Sequence, residues 1–209
     1  MPETIPEVPA GHPEKPEGED GFALVARMNG VHHEELSEWG LSFLQVPDDA
    51  HALDIGCGGG ANIARLLARA PKGQVTGVDF SPVSVQASSE HNAQAIQQGR
   101  CQVLEGNSSD LPLPDKAFDV VTAFETVYYW DLATAFAEVH RVLKPGGQFL
   151  VCNEDDGLNE GMHEFAKKVP TMVIYTVDEL TAALKQAGFS IAVAEDIPET
   201  GHLAIVAIA

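Results

Sequence analysis

The stretch Ala52-Leu53-Asp54-Ile55-Gly56-Cys57-Gly58-Gly59-Gly60-Ala61-Asn62-Ile63 decides the fold. A short apolar run ends in a glycine loop, and a segment follows in which Ile63, Leu66, Leu67 and Ala70 share one helical face. Glycine supplies backbone angles and close approach that a Cβ forbids. The helix starting near Gly60 turns its unpaired N–H groups toward whatever sits over the loop. A strand, glycine loop and helix in this order cradle a nucleotide-like small molecule at the C-terminal edge of a parallel sheet.

Working outward, the first strand is 51–55 and its helix about 60–69. Gln74-Val75-Thr76-Gly77-Val78 is the second strand and closes on Asp79. Ser81 caps the next helix with Pro82 at its first position, and Gly99 stops that helix after about Gln98. Further strands are expected at 101–104, 118–124 and 148–152, with a helix at about 131–143 and a tight turn at Pro145-Gly146-Gly147. Residues 153–173 read as an irregular or short-helical insertion or lid. Thr176-Val177-Asp178-Glu179 is a capping box that opens a helix to about Ala187. Strands at 190–195 and 203–208 end the chain. Strands alternate with helices and then two strands come in sequence. The expected fold is α/β: a doubly wound, seven-stranded, mostly parallel, Rossmann-like sheet with a C-terminal antiparallel pair and helices on both faces.

Upstream, residues 1–20 carry prolines and glutamates with little that is apolar, and read as a flexible acidic tail. Residues 21–47 turn helical, as two short helices at about 20–28 and 32–45 forming an N-terminal lid. Residues 48–209 then form the main domain.

The chain has 209 residues, 44% of them hydrophobic, which suits a substantial core. Its 31 acidic residues against 12 basic ones give a net charge of -19. That field repels phosphate backbones, so nucleic acid is not an expected partner. Cys57, Cys101 and Cys152 lie far apart with no C-x-x-C pair, which reads as reduced thiols in a cytoplasmic protein. No run of 18 apolar residues exists, and no basic segment followed by an apolar block stands at the N-terminus, so neither membrane nor secretion is expected.

The glycine loop alone leaves two readings open. Gly56-x-Gly58-x-x-Ala61 also satisfies a loose dinucleotide fingerprint, with Asp79 taking a ribose there too. Three more pieces follow it in order: Gly77-Val78-Asp79-Phe80-Ser81, Leu111-Pro112-Leu113-Pro114-Asp115-Lys116-Ala117-Phe118-Asp119 and Arg141-Val142-Leu143-Lys144-Pro145-Gly146-Gly147. Together the four resemble the class I S-adenosylmethionine-dependent methyltransferases, on the small-molecule branch that includes quinone-biosynthesis enzymes. The last two have no counterpart in the dinucleotide fingerprint. A nicotinamide-type oxidoreductase and a non-catalytic S-adenosylmethionine-binding module stand as the alternatives.

The resemblance implies S-adenosylmethionine as cofactor and assigns its contacts. Gly56, Gly58 and Gly59 would let backbone lie against the methionine and ribose portions, with Asp54 below the loop. Asp79 would accept from both ribose hydroxyls, since a carboxylate offers two acceptor oxygens. Phe80 would pack on the adenine, Asn107 would accept its amino group, and Ser108 would offer a backbone N–H. Ala123 would face the methionine portion, with Phe124 and Glu125 close behind.

The expected partner is a small-molecule methyl acceptor, bound above the ends of the fourth and fifth strands. Tyr128, Tyr129 and Trp130 are candidates for its aromatic wall, and His33 and Trp39 for contacts from the lid. His32, Tyr129 and Glu154 are the candidates for a proton-accepting group, needed only if the acceptor loses a proton as it attacks. No metal is implied. The chain is expected to act as a monomer or homodimer.

Overall fold

The computed structural model describes residues 15–18, 21, 25, 31–197 and 199–209, without the side chains of residues 31 and 32. Seven strands form one sheet: β1 His51–Ile55, β2 Gln74–Asp79, β3 Cys101–Glu105, β4 Phe118–Phe124, β5 Leu143–Asn153, β6 Ser190–Ile197 and β7 His202–Ile208. Their order is β3-β2-β1-β4-β5-β7-β6. Pairing is parallel from β3 to β5, and β7 runs antiparallel to both β5 and β6. Strand order reverses between β1 and β4, where open α/β sheets leave a crevice at their C-terminal edge.

The helices are α1 Val31–Leu41, α2 Ala61–Arg69, α3 Pro82–His91, α4 Ala93–Gln97, α5 Leu132–Val142, α6 Glu160–Ala166 and α7 Val177–Gln186. Two apolar layers cover the sheet. Phe136, Val139, Leu180, Leu184 and Phe189 pack on one face, and Leu36, Leu41, Ile63 and Leu66 on the other. The strands β1, β2 and β4 are buried almost throughout because both faces are covered.

Two of the motifs turn out to be fasteners for each other. The Arg141 guanidinium donates to the carbonyls of Leu111 and Leu113 and to the Asp115 carboxylate, and is braced by Glu138. The proline-rich loop is thereby pinned to the end of α5. The Asp119 carboxylate accepts from Lys144 Nζ and from the His51 backbone, tying the starts of β4, β5 and β1 together.

Several expected boundaries move. The helix expected to run to Gln98 breaks at Asn92, whose side-chain amide donates to the carbonyls of Gly60 and Ser88 and bends the chain there. The expected turn at Pro145-Gly146-Gly147 is absorbed into β5, since Gly146 and Gly147 bond the terminal Ala209. Of the two N-terminal helices, α1 ends at Leu41 rather than about 45, and the other lies outside the described residues apart from Gly21 and Val25. Within the stretch read as a tail, Lys15–Glu17 make contacts with the main domain. Pro16 is buried, its carbonyl accepts from Ser81 Oγ at 2.8 Å, and Lys15 Nζ stands 5.7 Å from the Phe80 ring centroid. Residues 1–14 lie outside the described residues. The capping box is present, with Glu179 N donating to Thr176 Oγ1 and Thr176 N to the Glu179 carboxylate.

Candidate active site

The site is built by the glycine loop folding back on β2. Gly56 N and Cys57 N both donate to the Val78 carbonyl, and Gly60 N donates to that of Cys57. Gly56, Gly58 and Gly60 have φ values of 72°, 50° and 82°, in the left-handed region that favours glycine. A Cβ on Gly56 would stand 2.3 Å from Thr126 Oγ1, whereas one on Gly58 would meet nothing within 4 Å. One glycine is therefore required by the fold, and the other leaves a space.

Asp79, at the end of β2, holds the loop from below. Its two carboxylate oxygens accept from Gly58 N and Ser81 N, each at 2.9 Å. Each oxygen retains acceptor capacity for a ligand. Burial pushes this carboxyl above its ordinary range, partly countered by the same amide donors.

Over this floor lies a cavity of about 460 Å³. Gly56, Gly58, Asp79, Phe80, Asn107 and Ser108 line it, as do Tyr129 and Trp130. Phe80 is 39% exposed, with Lys15 Nζ over its ring. Asn107 Oδ1 already accepts from Ser109 N at 2.9 Å, so it offers a ligand its remaining lone pair. A smaller cavity of about 60 Å³ is lined by Gly59, His33, Ser37 and Arg65. Gly56, Gly58, Phe124 and Glu125 border both.

Other candidates are placed differently. Ala123 is fully buried in the core beneath, because strand alternation turns it away. The cavity is met instead by Phe124, Glu125 and Thr126, where β4 ends. Tyr128 is buried with Val169, Met172 and Ile174, away from the cavity. On the 3₁₀ turn Val127–Tyr129 the two rings meet edge-on with centroids 6.4 Å apart, and Tyr129 lines the cavity while Tyr128 stands behind it. The Tyr128 hydroxyl has no hydrogen-bond partner among the described residues. Trp39 packs edge-on against Phe43 with centroids 5.2 Å apart and lies near His202, outside both cavities. Glu154 lines neither cavity; its backbone N–H donates to the Glu125 carboxyl. The His32 side chain lies outside what is described. Thr126, Thr171 and Lys15–Glu17 line the cavity and carry no local sequence signal for it.

Asp54 sits under the loop, buried, with its carboxyl accepting from Thr122 Oγ1 at 2.7 Å. Burial raises its pKa from 3.8 to about 7, the Thr122 bond opposing and the Asp79 charge adding. A folded-state value above the unfolded one means that this group favours folding below about pH 4. That contribution is lost as pH rises to about 7, a span worth about 4 kcal/mol. Asp54→Asn, which keeps an acceptor for Thr122, should therefore flatten the profile. Urea unfolding between pH 5 and 8 should show the wild type losing about 3 kcal/mol more than the variant. Parallel profiles would refute this account of Asp54.

Among the described residues no group of three His, Cys, Asp or Glu side chains is placed to hold a metal, and no helix is long and apolar enough to cross a membrane. The three cysteines are buried and free.

Residues 53–151 match a family described as the methyltransferase domain. Demethylmenaquinone methyltransferase of Geobacillus kaustophilus is 38% identical over 135 residues, covering 61% of this chain and 56% of that protein. Sterol 24-C-methyltransferase erg-4 of Neurospora crassa is 29% identical over 194 residues, covering 87% and 48%. The chain spans about half the length of these curated relatives. The crystal structure of a SAM-dependent methyltransferase from Aquifex aeolicus superposes with a TM-score of 0.73 at 18% identity, covering 90% of this chain and 97% of that one. Residues 53–151 are thus similar to the methyltransferase-domain family, and the fold of the chain is the one seen in the Aquifex aeolicus structure.

Proposed function

We propose that this chain is an S-adenosylmethionine-dependent methyltransferase that transfers a methyl group to a small-molecule acceptor. The observation that carries the reading is the open cradle over Gly58, whose amide is locked to Asp79 at the floor of the larger cavity. The residues fit the cofactor. Asp79 has acceptor capacity for two sugar hydroxyls, Phe80 offers a ring face to adenine, and the space above Gly58 has room where a Cβ would intrude. Asn107 and Ser108 border the adenine end, and Gly59 with His33 the smaller cavity beside the loop.

When bound, S-adenosylmethionine supplies a methyl group on a positively charged sulfonium, whose departure leaves a neutral thioether. The chain's own part is then to hold, align and enclose. Gly56, Gly58 and Asp79 hold the nucleoside end, while Tyr129, Trp130 and Thr171 wall the space beside Glu125 for an acceptor. Near-attack alignment of this kind supplies roughly 7–11 kcal/mol of a barrier in favourable cases. The apolar walls also exclude water from a reactive centre. The three buried thiols suit a reducing compartment such as the cytoplasm.

Titration calorimetry with S-adenosylhomocysteine and with NAD tests the reading, followed by transfer of labelled methyl to a panel of apolar metabolites. Saturable binding of the first nucleoside alone, with label transferred, is expected. Binding of NAD alone would restore the oxidoreductase, and cofactor binding without transfer to any acceptor would favour a sensor. The family match supports the methyltransferase over both.

A further inference from the structure

We infer that the acceptor end of the larger cavity selects by charge, with Glu125 admitting apolar acceptors that are uncharged or cationic and turning away anionic ones. The inference rests on the methyltransferase reading for the cavity's purpose, while its chemistry comes from how charge is distributed along that cavity.

The two ends differ. Asp79 and Phe80 follow β2, and Glu125 follows β4, with β1 between them. Two strand spacings put these ends about 10 Å apart. Lys15, with its Nζ over the Phe80 ring and 3.8 Å from the Glu17 carboxylate, is the cation among the described residues lining the larger cavity, and it stands at the β2 end. Following β4, the lining residues are Phe124, Glu125, Thr126, Tyr129 and Trp130, of which Glu125 is the acidic one. Among the described residues lining the larger cavity no cation stands at that end; Arg65 lines the smaller cavity that Glu125 also borders.

Glu125 is held in place rather than free to swing. Its φ is 56°, its backbone N–H donates to the Cys152 carbonyl at 3.0 Å, and its carboxyl accepts from Glu154 N. Burial, then the neighbouring Glu154 and Asp155 charges, push this carboxyl well above the usual range. A positive guest offsets that cost. A negative guest adds to it, since the larger cavity brings no cation to that end. The aromatic walls meanwhile favour an apolar body.

The test compares three probes of one shape and different charge: benzylamine, benzyl alcohol and benzoate. Their dissociation constants are measured by NMR titration on the full chain saturated with S-adenosylhomocysteine, for the wild type and for Glu125→Gln. Glutamine keeps an acceptor oxygen for Glu154 N, so the turn is preserved. In the wild type, benzylamine should bind at least as tightly as benzyl alcohol, and benzoate about tenfold or more weaker. In the variant the three should fall within about threefold of one another. Benzoate matching benzyl alcohol on the wild type would overturn the inference, as would an unchanged ranking in the variant. Failure of S-adenosylhomocysteine to bind the wild type would count against the cofactor reading instead. The probe ranking is then taken on the ligand-free chain, where it still decides the role of Glu125.

Discussion

Replacing Asp79 with alanine should weaken S-adenosylhomocysteine binding by a hundredfold or more, about 3–6 kcal/mol if two hydrogen bonds to a charged group are lost at about 1.5–3 each. The carboxylate serves two masters. It ties Gly58 N and Ser81 N at 2.9 Å, and it lines the cavity with lone pairs to spare. Alanine therefore also loosens the loop, and the unfolding midpoint of the ligand-free variant must be measured beside its affinity. Asp79→Asn separates the two roles. One side-chain oxygen remains for a single loop amide, while the new NH₂ opposes a donor where an acceptor stood. Its affinity loss should approach that of alanine with a smaller loss of stability. Calorimetry on protein shown to be folded decides it, and wild-type affinity in either variant would remove Asp79 from the binding site.

The glycine loop should give opposite results at positions two residues apart. Gly56→Ala adds a Cβ at 2.3 Å from Thr126 Oγ1 and 2.7 Å from Thr126 Cβ, at a φ of 72°. The left-handed backbone costs about 1–2 kcal/mol and the overpacking about 1–3 more. A total of about 2–5 kcal/mol is a large share of a typical domain's stability, so the variant should unfold at much lower urea. Gly58→Ala has a φ of 50° and open space around its Cβ. It should lose only the backbone term in stability, about 1–2 kcal/mol, yet lose most of its cofactor affinity. There the new methyl group would occupy the space proposed for the ligand. Equal stability loss at both positions, or intact binding in Gly58→Ala, would contradict the cradle.

Much of this site was legible because its signals are local. A strand running into Gly56-x-Gly58-Gly59-Gly60, and a second ending at Asp79 before a Ser81-Pro82 cap, specify their geometry within a few residues. Of those residues Gly56, Gly58 and Asp79 line the larger cavity. The proline-rich loop and the Arg141 segment were readable as motifs. Their reason, a guanidinium bonding that loop's carbonyls, emerges only when α5 lies beside it. The acceptor side was less legible. Tyr128, Tyr129 and Trp130 are equivalent in sequence, and only the fold buries Tyr128 with Val169, Met172 and Ile174 behind Tyr129. Trp39 lies on a lid-like helix but is claimed by Phe43 and His202. Lys15–Glu17 look like a solvated tail until Ser81 and Phe80 give them something to bind.

By itself the sequence determined the order of elements, the glycine loop and the carboxylate beneath it, because periodicity, capping and backbone permissiveness act over a few neighbouring residues. Tertiary structure alone decided which side chains share the cavity: Glu125 at one end, Lys15 at the other, Ala123 and Tyr128 turned into the core. Those placements depend on how β4, β5 and the N-terminal segment converge, and residues far apart in the chain carry no local mark of the contacts that convergence creates.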